Sequence, residues 1–79
     1  MPVVYRVGSL RFFFYANDHE PIHVHVEGYG GKAKVILDPD VSMESHSGFN
    51  PKDLRRIRDV CDELRTSFIE EWEEFFNDN

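Results

Sequence analysis

The sequence has one cysteine, no proline or glycine after Pro51, and no apolar run long enough to cross a bilayer. A lone Cys61 excludes an internal disulfide framework, and we expect it to be a buried small hydrophobe in a reducing compartment. The apolar run Phe12–Tyr15 is far shorter than a membrane span, so we expect a cytoplasmic protein without membrane contact. With 79 residues, the chain is expected to form a single domain, 1–79.

Positive charge is also scarce, because 9 lysines and arginines stand against 15 acids and give a net charge of −6. This balance argues against broad, nonspecific binding to nucleic acid or to acidic membranes. The acids are concentrated in the last third of the chain, with Glu70, Glu71, Glu73 and Glu74 close together. The first half is therefore nearer to neutrality.

Alternation of apolar and polar residues predicts strands over about 3–7, 10–15, 22–27 and 32–37. Gly8-Ser9 is typical of a two-residue hairpin turn. If Val7 pairs with Leu10, one face is almost wholly apolar and should be buried; it carries Val3, Tyr5, Val7, Leu10, Phe12 and Phe14.

The third predicted strand carries two histidines. Ile22, Val24 and Val26 point to one face, and His23, His25 and Glu27 point to the other. Pairing Glu27 with Lys32 places His25 opposite Lys34 and aligns apolar residues on the core side. We therefore expect both imidazoles on an open face, away from the helix described next.

One long C-terminal helix is predicted over about 51–76. Asn50, Pro51 and Asp53 form a strong helix start, and apolar residues then recur at three- and four-residue steps. Such a helix would be roughly 40 Å long, against about 20 Å for a strand. It should overhang the sheet or bend, with Thr66-Ser67 as its weakest point.

These elements predict an α+β fold: a four-stranded antiparallel meander with one long C-terminal helix on its apolar face. Residues 41–45 are expected to form either a short fifth edge strand or an extended link.

Several segments together resemble a small bacterial family catalogued as domain of unknown function 4160. They are Pro2-Val3-Val4, Phe12-Phe13-Phe14-Tyr15, the loop ending at Pro21, His23-Val24-His25-Val26, Leu37-Asp38-Pro39, and the helix with Leu54, Ile57, Trp72 and Phe75. Members are often encoded beside another small protein, which suggests a toxin–antitoxin-like pair. The resemblance carries over no catalytic residues.

The outer sheet face admits three functions. In one, it contacts or cleaves RNA, with His23 and His25 as general acid and base and Lys34 stabilising negative charge. The remaining binding surface would comprise aromatic rings for stacking and polar or charged side chains, namely Arg6, Arg11, Phe13, Tyr15, Glu27 and Lys32.

In the second, His23 and His25 bind a divalent metal ion, because alternate residues of a strand project in parallel. A third ligand would have to come from Asp18, His19, Glu27 or His46. No other cofactor is indicated.

In the third, which we favour on sequence alone, the face is covered by a protein partner and carries no chemistry. The partner would be the neighbouring gene's product or a second copy of the chain. An overlong helix exposing Trp72, Phe75 and Phe76 favours such assembly.

Overall fold

The structure is a computed structural model that describes residues 3–77. Five strands precede two helices. The strands are β1 (Val3–Val7), β2 (Leu10–Phe13), β3 (His23–Gly28), β4 (Gly31–Ile36) and β5 (Ser42–Ser47), and the helices are α1 (Pro51–Glu63) and α2 (Arg65–Phe76).

The strands form one antiparallel meander in the order β1-β2-β3-β4-β5. The α+β antiparallel class is confirmed. The segment left open between a short edge strand and an extended link is a fifth strand, because residues 42–47 pair with β4, with a register shift between Lys34 and Val35. Its sequence, Ser-Met-Glu-Ser-His-Ser, has one apolar residue and so lacks the alternation that revealed the other strands.

The predicted register of the central hairpin is confirmed. Glu27 pairs with Lys32, His25 with Lys34, and His23 with Ile36. The connection is tight, since Gly28 pairs directly with Gly31 and only Tyr29 and Gly30 lie between them, both at positive φ. Val7 pairs with Leu10 across the Gly8-Ser9 turn, also as predicted.

The predicted burial of β1 is wrong for its first half. The β1–β2 register shifts between Val3 and Tyr5, which are 37% and 38% exposed. Because β1 is an edge strand with an irregularity, Val3 and Tyr5 cannot be covered by a neighbour on both sides. The second strand also ends at Phe13, two residues earlier than predicted.

The core lies between the sheet and the helices. It contains the alternate apolar residues predicted for β2, β3 and β4 and the apolar residues along one side of the helices. Its fully buried members include Leu10, Phe12, Val24, Val26, Val35, Leu37, Ile57 and Cys61. No described helix is both long enough and apolar enough to span a bilayer.

The predicted long helix is divided into two, and the interruption does not lie at the expected Thr66-Ser67. The helix starts as predicted, with the Asn50 side chain accepting the Asp53 backbone N–H at 2.8 Å, but it is interrupted at Leu64, where φ is −102° and ψ is 15°. The next residue, Arg65, bonds to the carbonyl oxygens of Leu37 and Pro39 at 2.6 and 2.7 Å. The bend keeps α2 over the core, so Trp72 is buried instead of overhanging.

Candidate functional site

The loop between β2 and β3 folds into a turn that fixes Asp18. The backbone N–H of Tyr15 donates to the Asp18 carboxylate at 2.8 Å, and the backbone N–H of Asp18 donates to the Tyr15 carbonyl at 3.1 Å. Such reciprocal bonds are typical of an aspartate that closes a turn. The side chain is thereby held in one place before any ligand arrives.

Both strand histidines meet this carboxylate. The His25 Nε2 atom lies 3.1 Å from each Asp18 oxygen, and the His23 Nε2 atom lies 3.3 Å from Oδ1. One donor atom from each of the three residues lies within 4.8 Å of the others. The period-two spacing of the histidines therefore produces a compact cluster of two imidazoles and one carboxylate.

The tautomer of His23 follows from the hydrogen-bond partner of its Nδ1 atom. Its Nδ1 atom is 2.8 Å from the carbonyl oxygen of Pro21. A carbonyl can only accept, so Nδ1 carries a proton. In the neutral ring, Nε2 then carries the lone pair. This atom lies 3.3 Å from Asp18 Oδ1, so a proton or a cation shared by the two residues would be favourable.

The cluster is largely shielded from water. His23 is 3% exposed, and the Asp18 and His25 side chains are 11% and 19% exposed. Aromatic rings surround the imidazoles: the centroid of Trp72 is 5.1 Å from that of His23, and the centroids of Phe13 and Tyr15 are 5.7 and 4.6 Å from that of His25. Low local polarity strengthens electrostatic interactions with a bound ion.

The electrostatics of Asp18 are those of a stabilised carboxylate. Burial alone would raise its pKa, but the Tyr15 N–H, the His25 hydrogen bond and the charges of both histidines together lower the pKa below its ordinary value. Asp18 is thus an anion at neutral pH, as a metal ligand must be.

The two imidazoles are less open than expected, since their side chains are only 3% and 19% exposed. His25 lies on the sheet face opposite the buried Val24 and Val26, as predicted, but His23 is covered by Trp72. A ring so buried cannot reach an RNA substrate in this conformation. Phe13 was likewise expected to be a stacking surface, and it is 1% exposed.

The other predicted surface residues divide into two groups. Lys34 is opposite His25 as expected, and its ammonium pairs with Glu44 of β5 at 3.2 Å. Arg11 pairs with Glu27 at 2.8 Å and lies 5.9 Å from the Phe13 ring. Arg6 and Lys32 are exposed, and Tyr15 is 39% exposed.

Of the four residues considered as a third ligand, the structure brings one to the histidines. Glu27 is engaged by Arg11. His46 pairs with Ala33 in the β4–β5 ladder and is exposed, and His19 is exposed beside the cluster without joining it. Asp18 alone completes the group. The participation of Trp72 and the Pro21 carbonyl was not predicted, since neither carries a local sequence signal for it.

Two concavities flank the cluster. One, of about 320 Å³, includes Asp18 and has an acidic rim formed by Glu20 and Glu73, with His19 and Trp72 beside them. The other, of about 300 Å³, runs from His25 along the outer face of the sheet toward β5. The cluster can therefore be reached from two directions with different charge.

Comparison with known proteins gives one match. A family model described as "Domain of unknown function (DUF4160)" matches residues 9–73, a span that contains the whole cluster and most of both helices. No curated protein and no solved structure matches the chain.

Proposed function

We propose that this chain, which belongs to the DUF4160 family of unknown function, binds a divalent transition-metal ion between Asp18, His23 and His25. The observation that carries the proposal is the convergence of one donor atom from each of these residues within 4.8 Å of the others, with the Asp18 carboxylate 3.1 and 3.3 Å from the two Nε2 atoms. A cation among them would be coordinated by both imidazoles and the carboxylate.

The geometry is close to that of a metal site. Ligands bound at about 2.0–2.1 Å lie about 3.3 Å apart around a tetrahedral ion. The Asp18 oxygens are 3.1 and 3.3 Å from the two Nε2 atoms, and all three donors lie within 4.8 Å. A small separation of the two rings would admit an ion, which would replace the hydrogen bonds to Asp18.

The surroundings have the features that support metal-bound histidines in proteins. A ligating histidine usually donates its second ring N–H to a carbonyl or carboxylate, which fixes the ring and raises its basicity. His23 does so to Pro21. The acidic rim at Glu20 and Glu73 gives a cation a favourable approach to Asp18.

The ligand set favours particular ions. Two imidazoles and a carboxylate suit zinc, iron(II), cobalt(II) or nickel(II) better than magnesium or calcium, which prefer oxygen ligands. Three protein ligands leave at least one coordination position open, as in catalytic zinc sites and unlike closed structural ones. A bound ion could therefore activate water or polarise a substrate oxygen.

The proposal is tested by titrating metal-free protein with Zn²⁺ by calorimetry, and with Co²⁺ by visible absorption. Asp18→Asn and His25→Gln are the variants, since both keep the approximate shape of the side chain. His19→Gln and His46→Gln are matched controls, because they remove the two histidines outside the cluster.

We expect one ion per chain, an affinity lowered at least about 100-fold in each ligand variant, and unchanged binding in both controls. Thermal unfolding of the metal-free variants verifies that they fold. Wild-type affinity in folded Asp18→Asn, or loss of binding in His46→Gln alone, contradicts the assignment.

A role in a two-protein module, expected from the family resemblance, is a second candidate. The supporting observation is Phe75, which is 37% exposed although it packs beside Phe14 and Phe76. We propose that Phe75 contacts the neighbouring gene's product or a second copy of the chain. Light scattering of the purified chain alone and with that product tests it, with Phe75→Ser expected to abolish the complex and Tyr29→Ser, an exposed ring elsewhere, to preserve it.

A further inference from the structure

The groove on the outer sheet face is lined in part by His25, one of the three proposed metal ligands. It has a volume of about 300 Å³, which is at the lower end of the size range of small-molecule pockets. His25 and Tyr15 line it, and its other polar lining residues are Glu27, Lys32, Lys34, Ser45 and Ser47. A ligand in this groove would lie against His25, a proposed metal ligand.

The charge of this groove is opposite to that of the chain. The acid that lines the groove, Glu27, is paired with Arg11, and Lys34 is paired with Glu44, which lies outside the lining. Lys32 is exposed and has no ion-pair partner among residues 3–77. The local excess is thus positive in a protein of net charge −6, which favours an anionic ligand here.

The groove also offers a planar surface. The Tyr15 ring is 39% exposed and lies edge-on to His25, with 4.6 Å between the ring centroids. Its backbone N–H, and not its ring, holds Asp18. The ring is therefore available for stacking against a flat group without disturbing the cluster.

We propose, on the basis of the metal site proposed above, that this groove binds the phosphate ester of a single nucleotide. The phosphate would lie beside His25, where a bound ion adds positive charge, and the ammonium group of Lys32 would neutralise it. Lys34 would contribute by exchanging Glu44 for the phosphate, and the base would stack on Tyr15. Ser45 and Ser47 are placed to hydrogen-bond the sugar or phosphate. A long nucleic acid is disfavoured, because the acid-rich helices would repel it beyond this groove.

The test has two separate titrations. The first measures Zn²⁺ affinity of the wild type, of Lys32→Gln/Lys34→Gln and of Tyr15→Leu, all of which keep Asp18, His23 and His25. The second titrates each zinc-loaded protein, and the metal-free wild type, with uridine 5′-monophosphate, inorganic phosphate and a uridine decanucleotide.

We expect the double lysine variant to bind Zn²⁺ as the wild type does, and Tyr15→Leu to retain Zn²⁺ binding because it keeps the backbone N–H that fixes Asp18. Zinc should tighten uridine monophosphate binding at least about tenfold, and the double lysine variant should weaken it by about as much. Tyr15→Leu should weaken the binding of the nucleotide and leave the binding of inorganic phosphate unchanged. If the wild type does not bind zinc, the proposed metal site is rejected but the groove is not, because the titration of metal-free protein still measures nucleotide binding to the groove.

Other outcomes overturn the groove assignment. If the wild type and the double lysine variant bind the nucleotide with equal affinity, the nucleotide does not bind in this groove. Tighter binding of the decanucleotide than of the mononucleotide, after correction for the number of sites, identifies single-stranded nucleic acid as the ligand and contradicts the proposed class.

Discussion

His23 donates a hydrogen bond from Nδ1 to the carbonyl oxygen of Pro21, 2.8 Å away and two residues earlier in the chain. The bond locks the ring of a side chain that is 3% exposed and leaves its other nitrogen 3.3 Å from Asp18 Oδ1. Local backbone geometry thereby decides which nitrogen is available for chemistry. This fixed tautomer distinguishes His23 from the two solvent-exposed histidines.

Ring-nitrogen NMR should show this tautomer directly. We expect His23 to carry its proton on Nδ1 at neutral pH, and addition of Zn²⁺ to shift the Nε2 resonances of His23 and His25. The resonances of His19 and His46 should not move, because neither ring joins the cluster. Observation of His23 as an Nε2–H tautomer in metal-free protein would contradict the geometry.

Tryptophan fluorescence should report on the same site. Trp72 is the chain's single tryptophan, and its ring centroid is 5.1 Å from that of His23. Co²⁺ bound to His23 would quench Trp72 at contact distance, whereas Zn²⁺, with a filled d shell, should change the emission far less. The quenching should saturate at one ion per chain and disappear in Asp18→Asn. Quenching that persists in this variant would place the ion elsewhere.

The sequence could predict part of the cluster. Alternation along β3 places His23 and His25 on one side of the strand whatever the tertiary fold, and the structure agrees. Asp18 could not be singled out from three other acids and histidines, because its position depends on the turn it forms with Tyr15. The burial of His23 depends on where Trp72 lies, and that depends on the helix break.

The thiol of Cys61 should be unreactive in the folded protein. The residue is fully buried in the core, and burial, aided by the nearby Asp62, raises the pKa of the thiol from 9.0 to about 12. A thiol-reactive dye should label native protein only at the rate of unfolding, and denatured protein at once. Rapid labelling of native protein at neutral pH would contradict this burial.

The same shift predicts loss of stability at alkaline pH. Between pH 9 and 12 the unfolded chain releases the Cys61 proton and the folded chain keeps it. The free energy of unfolding should therefore fall as pH rises through this window, by up to about 1.4 kcal/mol per pH unit from this group. Denaturant melts of wild type and Cys61→Ala isolate the effect, since the variant should lack this component of the slope.

The helix break shows a limit of local reasoning. The sequence indicates the cap at Asn50 and the apolar stripe, both of which the structure contains. Thr66-Ser67 has the lower helix propensity, yet the interruption lies at Leu64. Three contacts of Arg65 with Leu37, Asp38 and Pro39 hold the chain there, and partners 26 to 28 residues away leave no local signal.

Removal of these contacts should weaken the fold. Arg65→Ala should lower the free energy of unfolding by about 1–3 kcal/mol, because two backbone carbonyls lose a charged donor and the side chain is only one-third exposed. Arg58→Ala, an exposed arginine on α1, should change it by less than about 0.5 kcal/mol. Urea melts measure both, and equal effects would show that Arg65 does not hold the bend.

A final prediction concerns Gly28, at the end of the histidine strand. A Cβ atom there would lie 2.3 Å from the Ser9 carbonyl oxygen, which belongs to the neighbouring hairpin turn. Since the obstacle is backbone, Gly28→Ala should cost about 1–3 kcal/mol by forcing the two turns apart. At Gly30 a Cβ meets nothing within 4 Å, so Gly30→Asn, a residue tolerant of positive φ, should be nearly neutral. Thermal melts of the two variants compare them, and a neutral Gly28→Ala would show that the two turns are not in contact in solution.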